Sequence, residues 1–508
     1  MKLYDLLVIG GGINGAGIAR DAAGRGLSVM LCEKDDLASH TSSASTKLIH
    51  GGLRYLEYYE FGLVRKALQE REVLLKAAPH IIWPLRFVMP HDKSQRPEWM
   101  IRCGLFLYDH LARREILPGS ETVSFASHPA GGPLKADFRR GFVYSDGWVQ
   151  DARLVVLNAM SAAEHGARIA TRTACVAARR DGEHWVCTLE KAGGEREEVR
   201  ACAVVNAAGP WVESLLKDTL GLPSPKSVRL VKGSHIVVKK LFDHPYAYIF
   251  QNPDKRIIFA IPYEQDFTLI GTTDIEYHGD PGQVAIDGDE IAYLCQMANR
   301  YFKGSISPAD VVSTYSGVRP LLDDEAASAA SVTRDYSLEL DAQGAPMLSV
   351  FGGKITTFRK LAEEAVDRLA PLLGNNKPSG TAQEALPGGD MDSFERFLNV
   401  RRQRFPWMPA ALLTRYARAY GTRLDTLIGS ATGLDQMGRE VLPGVYEAEL
   451  SYLVDQEWAT RAEDILWRRS KLKLHLPAHA QSVLDDWIAE YRGGGPRLLL
   501  EKAAGRAA

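Results

Sequence analysis

Gly10, Gly12 and Gly15 stand in the spacing GxGxxG, between a short apolar run from Leu6 to Ile9 and an alanine-rich stretch from Ile13 to Arg25. Glycine at these places permits a tight turn, close approach of backbone to a pyrophosphate and tight packing of the helix that follows. The start of that helix offers unpaired N–H groups and a partial positive charge to the phosphates. Glu33 closes the next apolar run, 18 residues after Gly15. A carboxylate there accepts hydrogen bonds from ribose hydroxyls and favours an unphosphorylated ribose. Glycine turns also arise for packing alone, but strand, helix and distal acid in register point to a dinucleotide. The motif does not separate a flavin from a nicotinamide dinucleotide. The position of the unit at the N-terminus and the later segment NAAGPW, from Asn206 to Trp211, favour FAD, which spreads along a longer groove.

The elements that must hold this chemistry follow from the pattern. Leu6 to Ile9, Ile13 to Arg25 and Leu27 to Cys32 read as a βαβ unit. Ala201 to Val205 runs into NAAGPW, and Leu348 to Phe351 runs into GGKITTFRKLAEEAVDRLA, each a strand followed by a turn and the second also by a helix. Three strand-to-loop junctions are thus expected around one ligand. Gly233 to Val238, Arg256 to Ile261 and Thr268 to Gly271 alternate like strands of an antiparallel sheet. After Lys377 to Asp390 the chain reads as helices over Ser393 to Phe405, Ala410 to Tyr420, Val445 to Trp458 and Ala462 to Leu474.

A chain of 508 residues exceeds the size at which one core stops growing, so two or three domains are expected. Lys plus Arg (61) against Asp plus Glu (63) leaves a formal charge of −2, which suggests neither nucleic acid nor an anionic membrane as a partner, so any such attraction must be local. The six cysteines are scattered without a CxxC pair, which suggests isolated reduced thiols and no metal site. The few residues before the first strand leave no room for a secretory signal, and no apolar run approaches a membrane span. The expectation is a cytoplasmic protein or one lying on a membrane face.

Read in full, GGGINGAGIARDAAGRG (Gly10 to Gly26) resembles the first signature of the FAD-dependent, respiratory glycerol-3-phosphate dehydrogenases, and TSSASTKLIHGGLRYLE (Thr41 to Glu57) looks like their second flavin-contacting loop. KGSH (232–235), GTTD (271–274), YSGVRPL (315–321), TRDY (333–336) and FGGKITTFRKLA (351–362) continue the match in order, and the segment 446–471 resembles the family's helical cap. One departure is Phe358, where the family normally carries Tyr; a hydrogen bond made there by other members is lost. The resemblance implies an α/β + α fold with three parts. They are a Rossmann-type FAD-binding domain of the D-amino-acid-oxidase-like kind (1–80, 145–232, 348–375), an antiparallel-sheet substrate domain (81–144, 233–347) and a helical C-terminal domain (386–508).

The same resemblance implies the roles. Besides the fingerprint glycines and Glu33, flavin contacts are expected from Asn14, Ser43, Ser45, His50, Gly51, Val176, Gly209, Gly353, Lys354 and Thr356. Oxidising a secondary alcohol needs a base near the hydroxyl, and His235 is the candidate. Arg319 would stabilise the developing oxygen charge, and Lys354 would put positive charge near flavin N1. A phosphomonoester needs fixed cations, and the planar fork of arginine suits it; Arg54 and Arg334 are candidates, with Tyr55 and Thr272 donating hydrogen bonds. Taken singly, most arginines are exposed and a lone histidine is more often structural.

Electrons leaving the flavin imply a membrane quinone and contact with a membrane surface, on the cytoplasmic face. Trp99 to Arg114 combines an interfacial Trp, apolar Met100, Cys103, Leu107 and Leu111, and basic Arg102, Arg113 and Arg114. Trp467 to Lys473 is the second candidate for that contact. A homodimer remains open. The alternatives are an oxidase of the same fold using oxygen, an amine or amino-acid oxidase, and a flavin-binding sensor without catalysis.

Overall fold

The computed structural model describes residues 2–92, 95–254, 256–323 and 335–494. Near the N-terminus the strand Leu3–Ile9, the helix Ile13–Gly24 and the strand Val29–Cys32 form the expected βαβ unit. These strands belong to an eight-stranded sheet whose central order is 337–341, 347–351, 196–206, 3–9, 29–32, 168–170. All neighbours in that order pair in parallel except the first two. A hairpin of Thr173–Asp181 and His184–Lys191 extends the strand Arg196–Asn206.

The register explains why three loops converge. Ile9 lies opposite Asn206 and Cys32, and Asn206 lies opposite Ser349, so the chain leaves the sheet at one level after Ile9, Asn206 and Phe351. Loops at the carboxyl ends of parallel strands form the ligand crevice of such sheets. Beneath them the helix Ile13–Gly24 packs against Asp151–Glu164 and Phe358–Leu369. Its small residues Gly15, Ala16, Gly17 and Ala19 are all buried. Phe358 is fully buried, and a Cβ added at Gly17 would come within 2.8 Å of its ring; the ring serves this helix contact.

A second, ten-stranded sheet is largely antiparallel and runs 275–276, 228–239, 267–271, 257–263, 247–251, 82–91, 140–149, 48–49, with Val311–Leu322 also paired to Val228–Lys239. Two strands cross the boundaries expected at 144/145 and 232/233: Arg140–Val149 and Val228–Lys239 each lie wholly in this sheet. In Val228–Lys239, Gly233 and His235 share one face, and in Val311–Leu322, Tyr315, Gly317 and Arg319 share one face by the two-residue alternation of strands. Pairing sets His235 opposite both Gly271 and Tyr315, and Gly233 opposite Gly317.

The C-terminal part is helical, with Phe394–Arg404, Ala410–Tyr420, Glu447–Glu457 and Ala480–Arg492. Its apolar side chains, among them Tyr416, Leu453 and Ile465, join one continuous core with Ile18, Val155 and Phe358 of the dinucleotide layer. Buried ion pairs cross the same boundary. Arg153 meets Glu457, and Arg172 meets Asp464 at 2.7 Å. Asp36, 1% exposed, is gripped by Arg468 at 2.6 Å and by Arg469, whose Nη2 lies 2.8 Å from its Oδ1. This overturns the expectation of a membrane contact at 467–473. Arg468, Arg469, Lys471 and Leu472 are buried, and burial, then the charge of Lys47, pushes the Lys471 ammonium down to about 7. The cysteines are not isolated either: Cys32, Cys175 and Cys187 meet in one apolar cluster, without a disulfide among the described residues.

Candidate active site

A cavity of about 560 Å³ opens where the three loops meet the face of the second sheet. Gly10, Gly12, Asn14, Glu33, Ser45, His50, Tyr55, Gly209, His235, Thr272, Arg319, Gly353, Lys354 and Thr356 all line it. One wall is thus the fingerprint loop and another the strand carrying His235.

The glycine turn leaves no space for side chains. Gly10 sits at φ +116°, and a Cβ there would come within 2.5 Å of the Ala207 carbonyl oxygen. A Cβ on Gly15 would lie 1.9 Å from the Gly10 oxygen; Gly15 does not line the cavity and serves helix packing. At the start of the helix the Ile13 amide donates to Ser42 Oγ at 3.0 Å. Glu33 accepts the Gly11 amide at 2.6 Å and the Asp35 amide at 2.8 Å. Burial raises its pKa against the opposing pull of those amides. Each carboxylate oxygen retains a further lone pair for a ribose hydroxyl. Glu33, Asp35 and His40 form the one three-residue group of potential metal ligands among the described residues, and His40 Nε2 pairs with Asp35 Oδ2 at 2.8 Å.

The third loop turns through Gly352 at φ +78° and Gly353 at φ +110°, conformations that favour glycine. Asn14 Nδ2 donates to the Gly352 carbonyl at 3.1 Å, tying the fingerprint helix to this loop. Thr356 Oγ1 accepts the His50 amide at 3.2 Å. Lys354 Nζ lies 4.1 Å from the centre of the Tyr55 ring, within cation–π range.

His235 is 2% exposed, and its ring stacks on Tyr315 with centroids 4.7 Å apart. Its Nε2 lies 3.0 Å from Thr46 Oγ1. Burial first, then the positive charges of Lys47 and Arg319, hold its pKa well below the usual histidine range. The imidazole is therefore held in its neutral form. Arg319 Nη2 donates to the Thr273 carbonyl at 3.2 Å and to Asp274 at 3.1 Å, which aims the guanidinium along the cavity wall.

Several residues expected at the site do not line the cavity. Ser43 does not line the cavity; its hydroxyl donates to the His40 carbonyl at 3.2 Å. Gly51 lies beneath Tyr108, whose hydroxyl accepts its amide at 2.8 Å. Val176 points outward, 38% exposed, whereas Thr173, Ala174 and Cys175 just before it line the cavity. Arg54 does not line the cavity, although its neighbour Tyr55 does, and Arg334 lies outside the described residues. Sequence reasoning missed Thr46, Trp211 and Phe259, which also line the cavity. Trp211, in NAAGPW, and Thr46, in the segment from Thr41 to Glu57, lay within quoted motifs that did not single them out.

The cavity suits a large dinucleotide. Its volume falls within the ~300–1,000 Å³ typical of cofactor sites, it holds both a glycine cradle and a buried acid, and the second sheet contributes His235 and Arg319 to its lining.

Comparison with known proteins agrees with this. The family described as FAD dependent oxidoreductase matches residues 5–359, and the C-terminal domain of alpha-glycerophosphate oxidase matches residues 379–491. Glycerol-3-phosphate dehydrogenase of Pseudomonas aeruginosa is 54% identical over 500 residues, covering 98% of this chain and 97% of that protein. D-erythritol 1-phosphate dehydrogenase of Brucella abortus is 53% identical, covering 95% and 97%. The crystal structure of glycerol-3-phosphate dehydrogenase from Bacillus halodurans, complexed with FAD, superposes with a TM-score of 0.78 at 28% identity, covering 97% and 91%. The chain belongs to the family of FAD-dependent glycerol-3-phosphate dehydrogenases.

Proposed function

We propose that the protein oxidises sn-glycerol 3-phosphate to dihydroxyacetone phosphate, with electrons passing from FAD to a membrane quinone. The observation that carries this reading is the convergence of His235, Arg319, Lys354 and Tyr55 in the cavity that holds the dinucleotide fingerprint. FAD, when bound, supplies the two-electron acceptor. The glycine turn and the start of its helix would hold the pyrophosphate, and Glu33 the ribose. Lys354 would balance the charge of the reduced ring, and Thr272 would orient the substrate. Neutral His235 takes the proton that the alcohol must lose. Arg319 steadies the oxygen as it becomes a carbonyl. Arg54 and Arg334 are the proposed phosphate ligands. A second reading has its own support: a relative of nearly equal identity carries the name D-erythritol 1-phosphate dehydrogenase, so a four-carbon polyol phosphate is the alternative substrate.

Access to a quinone requires a membrane surface, and the helix Glu98–His110 is the proposed contact on the cytoplasmic face. Its Leu105 and Tyr108 point inward at 0% and 2% exposure, while Trp99 and Phe106 are 69% and 57% exposed. Exposed Tyr58, Tyr59 and Phe61 lie on the neighbouring segment, and exposed apolar patches mark contact surfaces. No helix among the described residues is long and apolar enough to cross a membrane.

The test is anaerobic. Glycerol 3-phosphate should bleach the flavin absorbance of the purified protein, and a soluble quinone analogue should restore it. Bleaching only by D-erythritol 1-phosphate moves the assignment to the longer substrate. Rapid reoxidation by oxygen with hydrogen peroxide release, and none by quinone, identifies an oxidase. No bleaching by either polyol phosphate overturns the reading.

A further inference from the structure

We propose that the Thr46 hydroxyl relays the proton from the substrate alcohol to His235, so that the catalytic base is a threonine–histidine pair. This step rests on the alcohol-oxidation reading above. His235 reaches the cavity with a crowded ring: Tyr315 covers one face, and Gly271 lies so close that a Cβ there would come within 2.1 Å of its Cδ2. Its Nδ1 is buried and has no hydrogen-bond partner among the described residues. That leaves Nε2, which is already bonded to Thr46 Oγ1 at 3.0 Å. Thr46 is only half-buried and lines the cavity. A substrate hydroxyl that meets the threonine oxygen is thereby one hydrogen bond away from the imidazole nitrogen.

The loop bearing Thr46 is held on both sides. Lys47 adopts φ +61°, a conformation that favours glycine and that a lysine keeps only when its surroundings enforce it. They do so here. Lys47 Nζ, 1% exposed as a residue, lies 2.8 Å from Asp151 Oδ1, and Ser45 Oγ donates to Asp151 Oδ2 at 2.8 Å. The hydroxyl of Tyr315, the ring under His235, donates to the Ser45 carbonyl at 2.9 Å. Base and relay are thus anchored to one another, which serves proton transfer because the path must be kept short in the reacting complex.

The step balances. The alcohol proton passes to Thr46 Oγ as the threonine's own proton passes to His235 Nε2, and the carbinol hydrogen departs with the C–H electron pair, for which bound FAD would be the acceptor. The carbinol carbon is oxidised by two electrons, and the proton ends on the imidazole.

Stopped-flow flavin reduction by saturating glycerol 3-phosphate tests this on the holoenzyme, comparing wild type with Thr46→Val, which keeps the shape, and Thr46→Ser, which keeps the hydroxyl. The expected result is a loss of about 100-fold or more in Thr46→Val, the range of a lost acid–base contribution, with Thr46→Ser within about tenfold of wild type. The substrate dissociation constant should rise by no more than about tenfold, the loss of one neutral hydrogen bond, far less than the change in rate. In 15N-histidine spectra the Nε2 resonance of His235 should move in the valine variant and hold in the serine variant. A valine variant that reduces flavin at the wild-type rate, or a serine variant as slow as the valine one, overturns the relay while leaving the functional reading standing. If the wild type itself is bleached by neither polyol phosphate, the reading falls and the relay falls with it.

Discussion

At the scale of single residues, the sharpest constraint is the space around His235. Because an added methyl group at Gly271 would meet the ring at 2.1 Å, Gly271→Ala should displace the imidazole and slow flavin reduction by about 100-fold or more. It should leave FAD binding intact, as read from the flavin spectrum. His235→Ala should likewise slow flavin reduction at saturating substrate; an unchanged rate removes His235 as the base. Arg54→Ala should act differently, raising the KM by about tenfold or more through a lost charge-assisted contact, with little change in kcat. Residues whose role is dictated by backbone geometry could be read from the sequence: Gly10 and Gly353 are needed where φ is positive. Residues whose role depends on distant partners could not. Thr46 lies in the quoted loop motif, but nothing local pairs it with a histidine 189 positions away, and Asp151 carries no signature of the lysine 104 positions away. Gly51 and Val176 show the opposite case: they do not line the cavity but sit beside residues that do, and the motif did not say which neighbour faces inward.

At the scale of elements, the π-helical turn Asp464–Arg469 shows how charge can mislead. In sequence, WRRSKLK reads as a basic candidate for membrane contact. Its two arginines are instead buried against Asp36 and Asp464, a pairing that periodicity does not reveal. Burial alone would raise the Asp464 pKa, but Arg469, the Thr460 amide, Arg468 and Arg172 overcome this and hold it at about 2, against 3.8 for a free aspartate. A depressed carboxyl contributes stability that is fully present above the unfolded value and is lost as pH falls through the folded one. The gain, about 2 kcal/mol, should therefore vanish between roughly pH 4 and pH 2. Urea unfolding midpoints across that window should show the slope, and Asp464→Asn should flatten it. The helix Glu98–His110 was read correctly as carrying an apolar face. Trp99→Ser with Phe106→Ser should cut binding to anionic lipid vesicles by about tenfold or more, while bleaching by substrate stays unchanged; undiminished binding removes this helix as the contact.

At the scale of the whole molecule, the fold class and the order of its parts were accessible because the strands carry clear patterns, from Leu3–Ile9 to Met347–Phe351. The seams between parts were not, because strands such as Arg140–Val149 look alike whichever sheet they join. The helical C-terminal part shares a core with the dinucleotide layer, so it should not unfold separately: a single thermal transition is expected by calorimetry and by flavin fluorescence. Arg469→Ala leaves Asp36 with one fewer cation in a buried site, a change that costs about 3–5 kcal/mol, and should lower that common transition. The clamp on Asp36 also has a consequence in time. The residues that grip it arrive more than 430 positions later in the chain. While the protein is being made, Asp36, three residues beyond Glu33, has no partner from this turn until nearly the whole chain has left the ribosome. The flavin site therefore matures last although its signature is synthesised first, and a nascent chain stalled before residue 464 should retain FAD far less well than the finished one.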